Sequence, residues 1–344
     1  MKNRKIENYF VFVLALTLFA LYGCTSLASN TIINSALGQD DGITTRPYQN
    51  PHASDELPTS YTISATTDEQ PPNPQHHNLL YLSDINNPIL LSLNQSGRDR
   101  TMVITIYFDY EPVQFRVGNS KEFSTHYVFD FDDSTGVDLP IYLDPTIPVD
   151  DFTHKLMFDI IAGYGEYAYD KEQLSNRLGM TTLYDLSFTE QAYKRESTLR
   201  NPRYELTEPE NYFKFTNVDL MLNTDFSNSL VKEKRFEYPN KLYQVKADSQ
   251  FELMYNVSNR LKHQDGILML TVNFERTAIN NQDFIYINLK NDHTSNGKIT
   301  FQTPKKPGFY EVIGYFVFDP YNYTSGRKSD TASTSYRFTL EVIK

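Results

Sequence analysis

The stretch MVITIYFDY, residues Met102–Tyr110, decides the fold class of this chain, and a similar stretch, ILMLTVNFE, follows at Ile267–Glu275. Both stretches are rich in β-branched and aromatic residues, which favour strands. Three further segments of this kind are separated by clusters of Gly, Pro, Asn and Asp: DFIYINLK (Asp283–Lys290), FYEVIGYFVF (Phe309–Phe318) and YRFTLEVI (Tyr336–Ile343). The sequence therefore predicts an all-β protein.

The strand-like segments also repeat along the chain. Three pairs of segments match in the same order: Asn87–Glu111 with Gln250–Arg276, Asp151–Gly163 with Gly308–Pro320, and Thr181–Glu190 with Ser333–Val342. The first match aligns Thr105 with Thr271 and Phe108 with Phe274. A repeat of this length indicates two related domains.

Each copy has short strands at regular spacing over roughly one hundred residues, which is typical of an immunoglobulin-like sandwich. Tyr310 follows the turn Pro307-Gly308 and resembles a tyrosine corner, with His154 at the corresponding place in the first copy. The Cys…Trp…Cys signature of antibody domains is absent. The resemblance is therefore to the wider immunoglobulin-like architecture, and it implies two antiparallel β-sandwich domains without specifying an activity.

The N-terminus has the three parts of a secretory signal. Met1–Glu7 is basic, Tyr9–Gly23 is a run of 15 largely apolar residues, and Leu21-Tyr22-Gly23-Cys24 follows at its end. That tetrapeptide resembles a bacterial lipobox, although Tyr22 departs from the pattern. The resemblance implies that the Cys24 thiol receives a diacylglyceryl group, that cleavage follows Gly23, and that the protein is a lipoprotein.

Two alternatives to lipidation stay open at this point. An uncleaved anchor would need about 20 apolar residues to cross the bilayer, and an ordinary signal peptide would make Cys24 incidental. Thr25 follows Cys24 where an Asp would signal retention at the inner membrane. We expect lipid attachment at the extracytoplasmic face of the cell membrane.

Composition divides the remainder of the chain. Residues 24–77 are rich in Ser, Thr, Asn, Pro and Asp, which predicts a disordered tether after the signal peptide at 1–23. The polar, charged stretch 195–210 is interrupted by two prolines and predicts a linker. The two sandwich domains are accordingly expected at 78–194 and 211–344.

Charge and cysteine content exclude several classes of function. The formal net charge is −11 and no basic patch is evident, so nucleic-acid binding is not expected. A single cysteine leaves no internal disulfide framework. The sequence also lacks phosphate-binding loops and catalytic motifs such as G-x-S-x-G and H-E-x-x-H, so no cofactor is predicted.

Two groups of residues are candidates for binding. Tyrosines on predicted loops can form recognition surfaces, and the candidates are Tyr164, Tyr167, Tyr169, Tyr321 and Tyr323; local packing is the alternative. The turn from Asp130 to Asp138 is a weak calcium candidate, with its oxygens on Asp130, Asp132, Ser134 and Asp138. Its spacing does not match an EF-hand, and an exposed turn is the alternative.

We therefore expect a non-enzymatic lipoprotein, anchored in the membrane, whose sandwiches bind or position an envelope protein or glycan. One alternative is an envelope enzyme, acting on a cell-wall or surface polymer, with a site assembled from distant residues. A cleft with converging carboxylates of raised pKa would favour it. The other alternative is a structural spacer or assembly factor with an exposed edge strand.

Overall fold

The computed structural model describes residues 34–35, 42–48, 60–69, 78–97, 99–165, 179–189, 206–213, 220–224, 242–259, 265–290, 294–320, 332–335 and 337–344. Within these ranges every regular element is a β-strand, so the predicted all-β class is confirmed. Among the same residues, no helix has the length and apolar character needed to cross a membrane.

Twelve strands form the first sandwich and twelve form the second. The strands of the first are β1 (Asn34–Ser35), β2 (Thr44–Pro47), β3 (Ser60–Thr67), β4 (Leu79–Tyr81), β5 (Ile89–Ser96), β6 (Arg100–Phe108), β7 (Glu111–Pro112), β8 (Phe115–Val117), β9 (His126–Phe131), β10 (Thr135–Leu143), β11 (His154–Ala162) and β12 (Gly179–Ser187). Those of the second are β13 (Leu206–Thr207), β14 (Asn211–Phe213), β15 (Leu220–Asn223), β16 (Leu242–Lys246), β17 (Gln250–Ser258), β18 (Asp265–Val272), β19 (Glu275–Thr277), β20 (Ile285–Asn288), β21 (Thr294–Gln302), β22 (Gly308–Phe318), β23 (Ala332–Thr334) and β24 (Phe338–Ile343).

Both sandwiches have the same strand order. The larger sheets run β1-β9-β6-β11-β12-β4 and β13-β20-β18-β22-β24-β16, and the smaller sheets run β2-β10-β5-β3 and β14-β21-β17-β15. Strands in the middle of each sheet pair antiparallel, whereas four edge strands pair parallel: β1, β4, β13 and β16. Two immunoglobulin-like sandwiches are therefore present, with parallel edges added to an antiparallel centre.

Backbone hydrogen bonds fix the register of the repeat. The Asp109 amide donates to the Lys155 carbonyl at 2.8 Å, and the Asn273 amide donates to the Glu311 carbonyl at 2.8 Å. The side chains of Asp109 and Asn273 in turn accept from the amides of Lys155 and Glu311 at 2.9 and 2.8 Å. Asp109 is thus equivalent to Asn273, and Lys155 to Glu311.

This register corrects the alignment made from the sequence. Because Asp109 corresponds to Asn273, Thr105 corresponds to Met269 rather than to Thr271, and Phe108 corresponds to Val272. The matches found in sequence pair the correct strands but are displaced by one or two residues. Runs of apolar residues tolerate such a slip, whereas the paired hydrogen bonds do not.

The two faces of each larger sheet contribute side chains to different apolar clusters. On β11, Leu156, Phe158 and Ile160 pack into the core of the first sandwich, while Met157 and Ile161 pack into a separate cluster. That cluster also contains residues of the second sandwich from β18 and β22: Ile267, Met269, Ile313, Tyr315 and Val317. The larger sheets therefore pack face to face, and each is buried on both sides by apolar side chains.

The sheets also include strands from two segments that were predicted to lie outside the sandwiches. β2 and β3 lie within the predicted tether 24–77, yet they pair with β10 and β5 of the first sandwich. In β3, Tyr61, Ile63 and Ala65 alternate with Ser and Thr and face the core, so a polar composition hides a period of two. Likewise β13 lies within the predicted linker 195–210 but pairs with β20.

Candidate functional site

Of the loop tyrosines predicted to bind, Tyr164 lies in the described part of the chain. Its ring centroid lies 5.4 Å from that of Phe274 in the second sandwich. The amide of Tyr164 donates to the Thr101 carbonyl at 3.1 Å. The half-buried ring therefore packs between the sandwiches. Four of these tyrosines, Tyr167, Tyr169, Tyr321 and Tyr323, and the predicted lipid attachment site Cys24 lie outside the described residues.

The acidic turn forms hydrogen bonds with its surroundings. Asp130 accepts from the Thr101 hydroxyl at 2.8 Å, and Asp138 accepts from the Ser92 hydroxyl at 2.6 Å. The Asp138 carboxylate also lies 3.3 Å from the Arg46 guanidinium.

Asp132 and Ser134 belong to the tight turn that joins β9 to β10, where Ser134 has a positive φ of 56°. In the ranges described, no group of three or more His, Cys, Asp or Glu side chains could hold a metal ion.

His154 is held between two carboxylates. It is fully buried, with Nδ1 2.8 Å from Asp109 and Nε2 3.0 Å from Asp150. Its ring lies 4.4 Å from the Phe108 ring. Tyr310 occupies the equivalent place in the second sandwich, where its hydroxyl donates to the Lys306 carbonyl at 2.7 Å. Tyr310 thus forms a tyrosine corner with the turn that precedes its strand. His154 contacts the equivalent turn of the first sandwich through Asp150.

Asp159 lies at the centre of the contact between the sandwiches and is fully buried. Its Oδ2 accepts from the Tyr315 hydroxyl at 2.6 Å and from the Thr105 hydroxyl at 3.4 Å. Its Oδ1 has no hydrogen-bond partner. Burial raises the pKa of Asp159 to about 7, against the opposing effects of these two hydroxyls and of Arg337. Burial also raises the pKa values of the neighbouring Tyr107 and Tyr315.

Other buried charges near this contact form close ion pairs. Lys155 contacts Asp185 at 2.7 Å, and Arg337 contacts Glu311 at 3.2 Å. Arg337 also donates to the Gly163 carbonyl of the first sandwich at 3.0 Å. Because a buried charge is costly unless it is paired, these contacts fix both strands and the relation between the sandwiches.

The contact between the sandwiches is reciprocal. The Tyr110 hydroxyl donates to the Pro320 carbonyl at 2.5 Å, while Tyr164 packs against Phe274. In the register of the repeat, Tyr110 is equivalent to Phe274, and Tyr164 to Pro320. Equivalent residues thus make equivalent contacts, as in a twofold-symmetric interface. Asp159 and Tyr315 are themselves equivalent, since 156 residues separate them, as they separate Lys155 and Glu311.

The chemistry of this cluster is structural. Asp159 has the raised pKa typical of catalytic acids, but it is fully enclosed, so a substrate in solvent does not contact it. Asp159 was not among the residues predicted from the sequence to form a site. The sequence feature that could have identified it is a single carboxylate within the apolar run LMFDIIA on β11. A charged residue inside a buried strand requires a partner, and so marks a polar contact in the core.

Comparison with solved structures gives distant similarity to several β-sandwich proteins. The E. coli chaperone DraB matches with a TM-score of 0.24 and 13% identity, covering 82% of this chain and 98% of that one. The C-terminal domain of the Streptococcus agalactiae AgI/II polypeptide BspA matches with a TM-score of 0.20 and 7% identity, covering 82% and 100%.

A CARDB domain from Pyrococcus furiosus, solved in complex with di-metal ions, matches with a TM-score of 0.23 and 12% identity, covering 42% of this chain and 98% of that one. No protein-family model and no curated protein matches the sequence. The similarities are too distant to indicate an activity.

Proposed function

We propose that this chain is an extracytoplasmic lipoprotein that binds or positions another component of the cell envelope, a protein or a glycan, without doing chemistry itself. The observation that carries the proposal is the lipobox-like sequence Leu21-Tyr22-Gly23-Cys24 at the end of an apolar run. A diacylglyceryl anchor attaches a protein stably to a membrane, because a single acyl chain binds only reversibly and the second chain adds the apolar burial that is needed.

The contact between the sandwiches supports a positioning role. Apolar side chains from both larger sheets share one buried cluster, and Arg337 and Tyr315 bond across it to Gly163 and Asp159. Domains joined through a large apolar contact move little relative to each other. Such a body holds the surfaces of the two sandwiches at fixed places relative to each other.

The anchor is tested by incorporation of labelled palmitate into the full chain expressed in a bacterium. We expect label on the wild-type chain and none on Cys24→Ala, since Cys24 is the one cysteine of the sequence. Thr25→Ala is the matched control and should be labelled like the wild type. Label that persists on Cys24→Ala, or its absence from the wild type, contradicts the proposal.

The binding role is tested by capturing envelope components on the full chain in mild detergent. Tyr167→Ala combined with Tyr169→Ala should reduce the specific capture. Tyr164 is left unchanged, because its ring packs against Phe274 and its removal would disturb the contact between the sandwiches. Capture that is equal for the variant and the wild type would exclude these two tyrosines from the binding site.

A further inference from the structure

We propose that one end of the first sandwich, bearing the exposed apolar side chains of Phe123, Val149 and Phe152, rests on the lipid bilayer that holds the Cys24 anchor. We call these three residues the apolar end. Their exposed fractions are 36%, 55% and 42%. This inference rests on the proposed lipid anchor and adds a second contact with the same membrane.

Hydrogen bonds place the three side chains at the same end of the sandwich. Phe123 precedes Ser124, whose backbone pairs with Phe115. Phe115 lies opposite Leu143, the last residue of β10. The loop that carries Val149 and Phe152 begins there, and the Asp144 amide donates to the Gln114 carbonyl at 3.0 Å.

The loop of Val149 and Phe152 has a fixed conformation. The Asp150 carboxylate accepts from the Phe152 amide at 2.8 Å and lies 3.0 Å from His154 Nε2. His154 is buried and held on its other side by Asp109. The two apolar side chains are therefore presented to solvent by a loop that is anchored in the core.

The second sandwich shows that the fold does not require apolar residues here. In the register of the repeat, Lys305 corresponds to Val149 and Gly308 corresponds to Phe152. The same turn before the same strand thus carries a charge and no side chain in the other copy. The exposed apolar residues are a property of the first sandwich and not of the architecture.

The twofold relation sends the two equivalent loops to opposite ends of the molecule. Tyr110, at the end of β6 nearest the apolar end, contacts Pro320, whereas Tyr164, at the opposite end, contacts Phe274. Since Pro320 is equivalent to Tyr164, the second sandwich runs in the reverse direction. A membrane at one end of the molecule can therefore meet only one of the two loops. The loop that carries the apolar side chains belongs to the first sandwich.

The length of the chain allows a lipid on Cys24 to reach the apolar end. β1 begins at Asn34, which pairs in parallel with Val128 near the start of β9, and β9 begins two residues after Ser124. The first described residue thus lies at the apolar end. The ten residues from Cys24 to Ile33 span at most about 35 Å when extended. A bilayer holding the lipid is therefore close enough to touch this end.

The charges beside the apolar end indicate which part of the membrane it contacts. Lys121 and Arg116, whose guanidinium lies 6.0 Å from the centroid of the Phe123 ring, are accompanied by Glu122 and Asp151. The two cations are thus balanced by carboxylates, and the surface offers no excess of positive charge to anionic headgroups. Val and Phe side chains gain by leaving water at the boundary between headgroups and acyl chains. The contact is accordingly apolar, and we expect it to be insensitive to salt.

The test uses the full lipidated chain in phosphatidylcholine vesicles, with and without brominated phospholipid as a quencher. The sequence contains no Trp, so Phe152→Trp places a single fluorescent reporter at the apolar end. We expect its emission to shift to shorter wavelength and to be quenched by the brominated lipid, because the ring would lie at the boundary between headgroups and acyl chains. Ile343→Trp, exposed in the second sandwich, is the matched control and should not be quenched.

Flotation of the same vesicles separates the two proposals. If the chain floats with the vesicles but Phe152→Trp is no more quenched than Ile343→Trp, the anchor stands and bilayer contact at the apolar end is wrong. If the chain does not float, the lipid anchor is wrong and this inference fails with it. Quenching of Phe152→Trp that persists at high salt supports an apolar contact.

Discussion

The two sandwiches share a strand order and a register, yet they differ at the buried polar positions that are equivalent between them. Lys155 pairs with Asp185 in the first sandwich, where the second pairs Glu311 with Arg337. The sign of the charge on β11 is therefore reversed on β22. Backbone pairing and apolar burial thus set this fold, while a buried charge can reverse its sign when another position supplies the counter-charge. Arg337 is equivalent to Leu183, and it is Thr339 that is equivalent to Asp185.

The same holds at two further pairs of positions. His154 and Tyr310 each bond to the turn that precedes their strand, but with different chemistry. His154 contacts carboxylates, whereas Tyr310 donates to a backbone carbonyl. Asp159 and Tyr315 are equivalent, and here the two copies bond directly to each other. Each difference leads to a measurement in which one sandwich serves as the reference for the other.

The largest effect is expected from breaking the ion pair of the second sandwich. Glu311→Gln removes the carboxylate that lies 3.2 Å from the buried Arg337 guanidinium, and we expect the free energy of unfolding to fall by about 3–5 kcal/mol. Asp185→Asn should cost less, because the Asp185 side chain retains 23% exposure whereas both partners of the other pair retain 2%. Denaturant unfolding measures both. A loss for Asp185→Asn that equals or exceeds that for Glu311→Gln would contradict this comparison.

An exposed ion pair on the second sandwich provides the control. Lys298 and Glu252 contact at 3.0 Å and are both about half exposed. Because exposed pairs contribute little, Glu252→Gln should lower the free energy of unfolding far less than Glu311→Gln does. A larger loss would show that the method reports something other than burial of the charge.

The next effect is a pH dependence that belongs to Asp159. Burial raises its pKa from 3.8 to about 7, so the folded state binds a proton that the unfolded state has released. Stability from this group is therefore complete below the unfolded pKa and is lost as the pH rises through 7. Between pH 5 and 8 we expect a loss of roughly 2–3 kcal/mol in the wild type, and Asp159→Asn should remove that part of the slope.

Thermal unfolding at several pH values measures this slope. Tyr315→Phe keeps the carboxyl group and removes a hydrogen bond that lowers its pKa, so the pH dependence should persist in this variant. A slope that is the same in Asp159→Asn as in the wild type would show that another group is responsible.

The smallest effect concerns His154 and Tyr310. Tyr310→Phe removes one hydrogen bond, to the Lys306 carbonyl, and should cost about 1 kcal/mol. His154→Phe removes two contacts with carboxylates, so we expect about twice that loss. Urea unfolding of the two variants compares them directly. If the tyrosine variant is the less stable of the two, the two carboxylate contacts of His154 do not contribute more than the single hydrogen bond of Tyr310.

Much of the fold was predictable from the sequence, and the failures have physical causes. β6 and β18 were identified because β-branched and aromatic residues dominate them. β3 was missed because its outward residues are Ser and Thr, so its composition resembles that of a disordered segment although its alternation does not. Composition averages over both faces of a strand and hides which face is buried.

The contact between the sandwiches could have been predicted from the pattern of residues along the strands, which overall composition does not show. β5 alternates between buried and half-buried residues, as expected for a strand with one face in a core. β11 is buried throughout, and its run HKLMFDIIA lacks such alternation. A strand with apolar residues on both faces indicates burial on both faces, and here the second face meets the other sandwich. Asp159 in that run marks the polar centre of the contact.

The candidate site was less predictable than the fold. Loop tyrosines were chosen because such rings can bind partners, but packing depends on what folds against a loop, which a single segment does not show. Tyr164 packs against Phe274, more than one hundred residues further along the chain. By contrast, Tyr310 was identified as a corner because its partner lies four residues upstream, within the same local pattern.

The bond between Asp159 and Tyr315 has a consequence for how this molecule differs from a homodimer. In a symmetric dimer of identical subunits, a residue at the axis must meet its own copy. Two buried aspartates there would share one proton or repel each other. Joining both halves in a single polypeptide lifts that restriction, so an acceptor can stand on one side of the axis and a donor on the other. The molecule thus keeps the geometry of a dimer while its centre is free to be asymmetric.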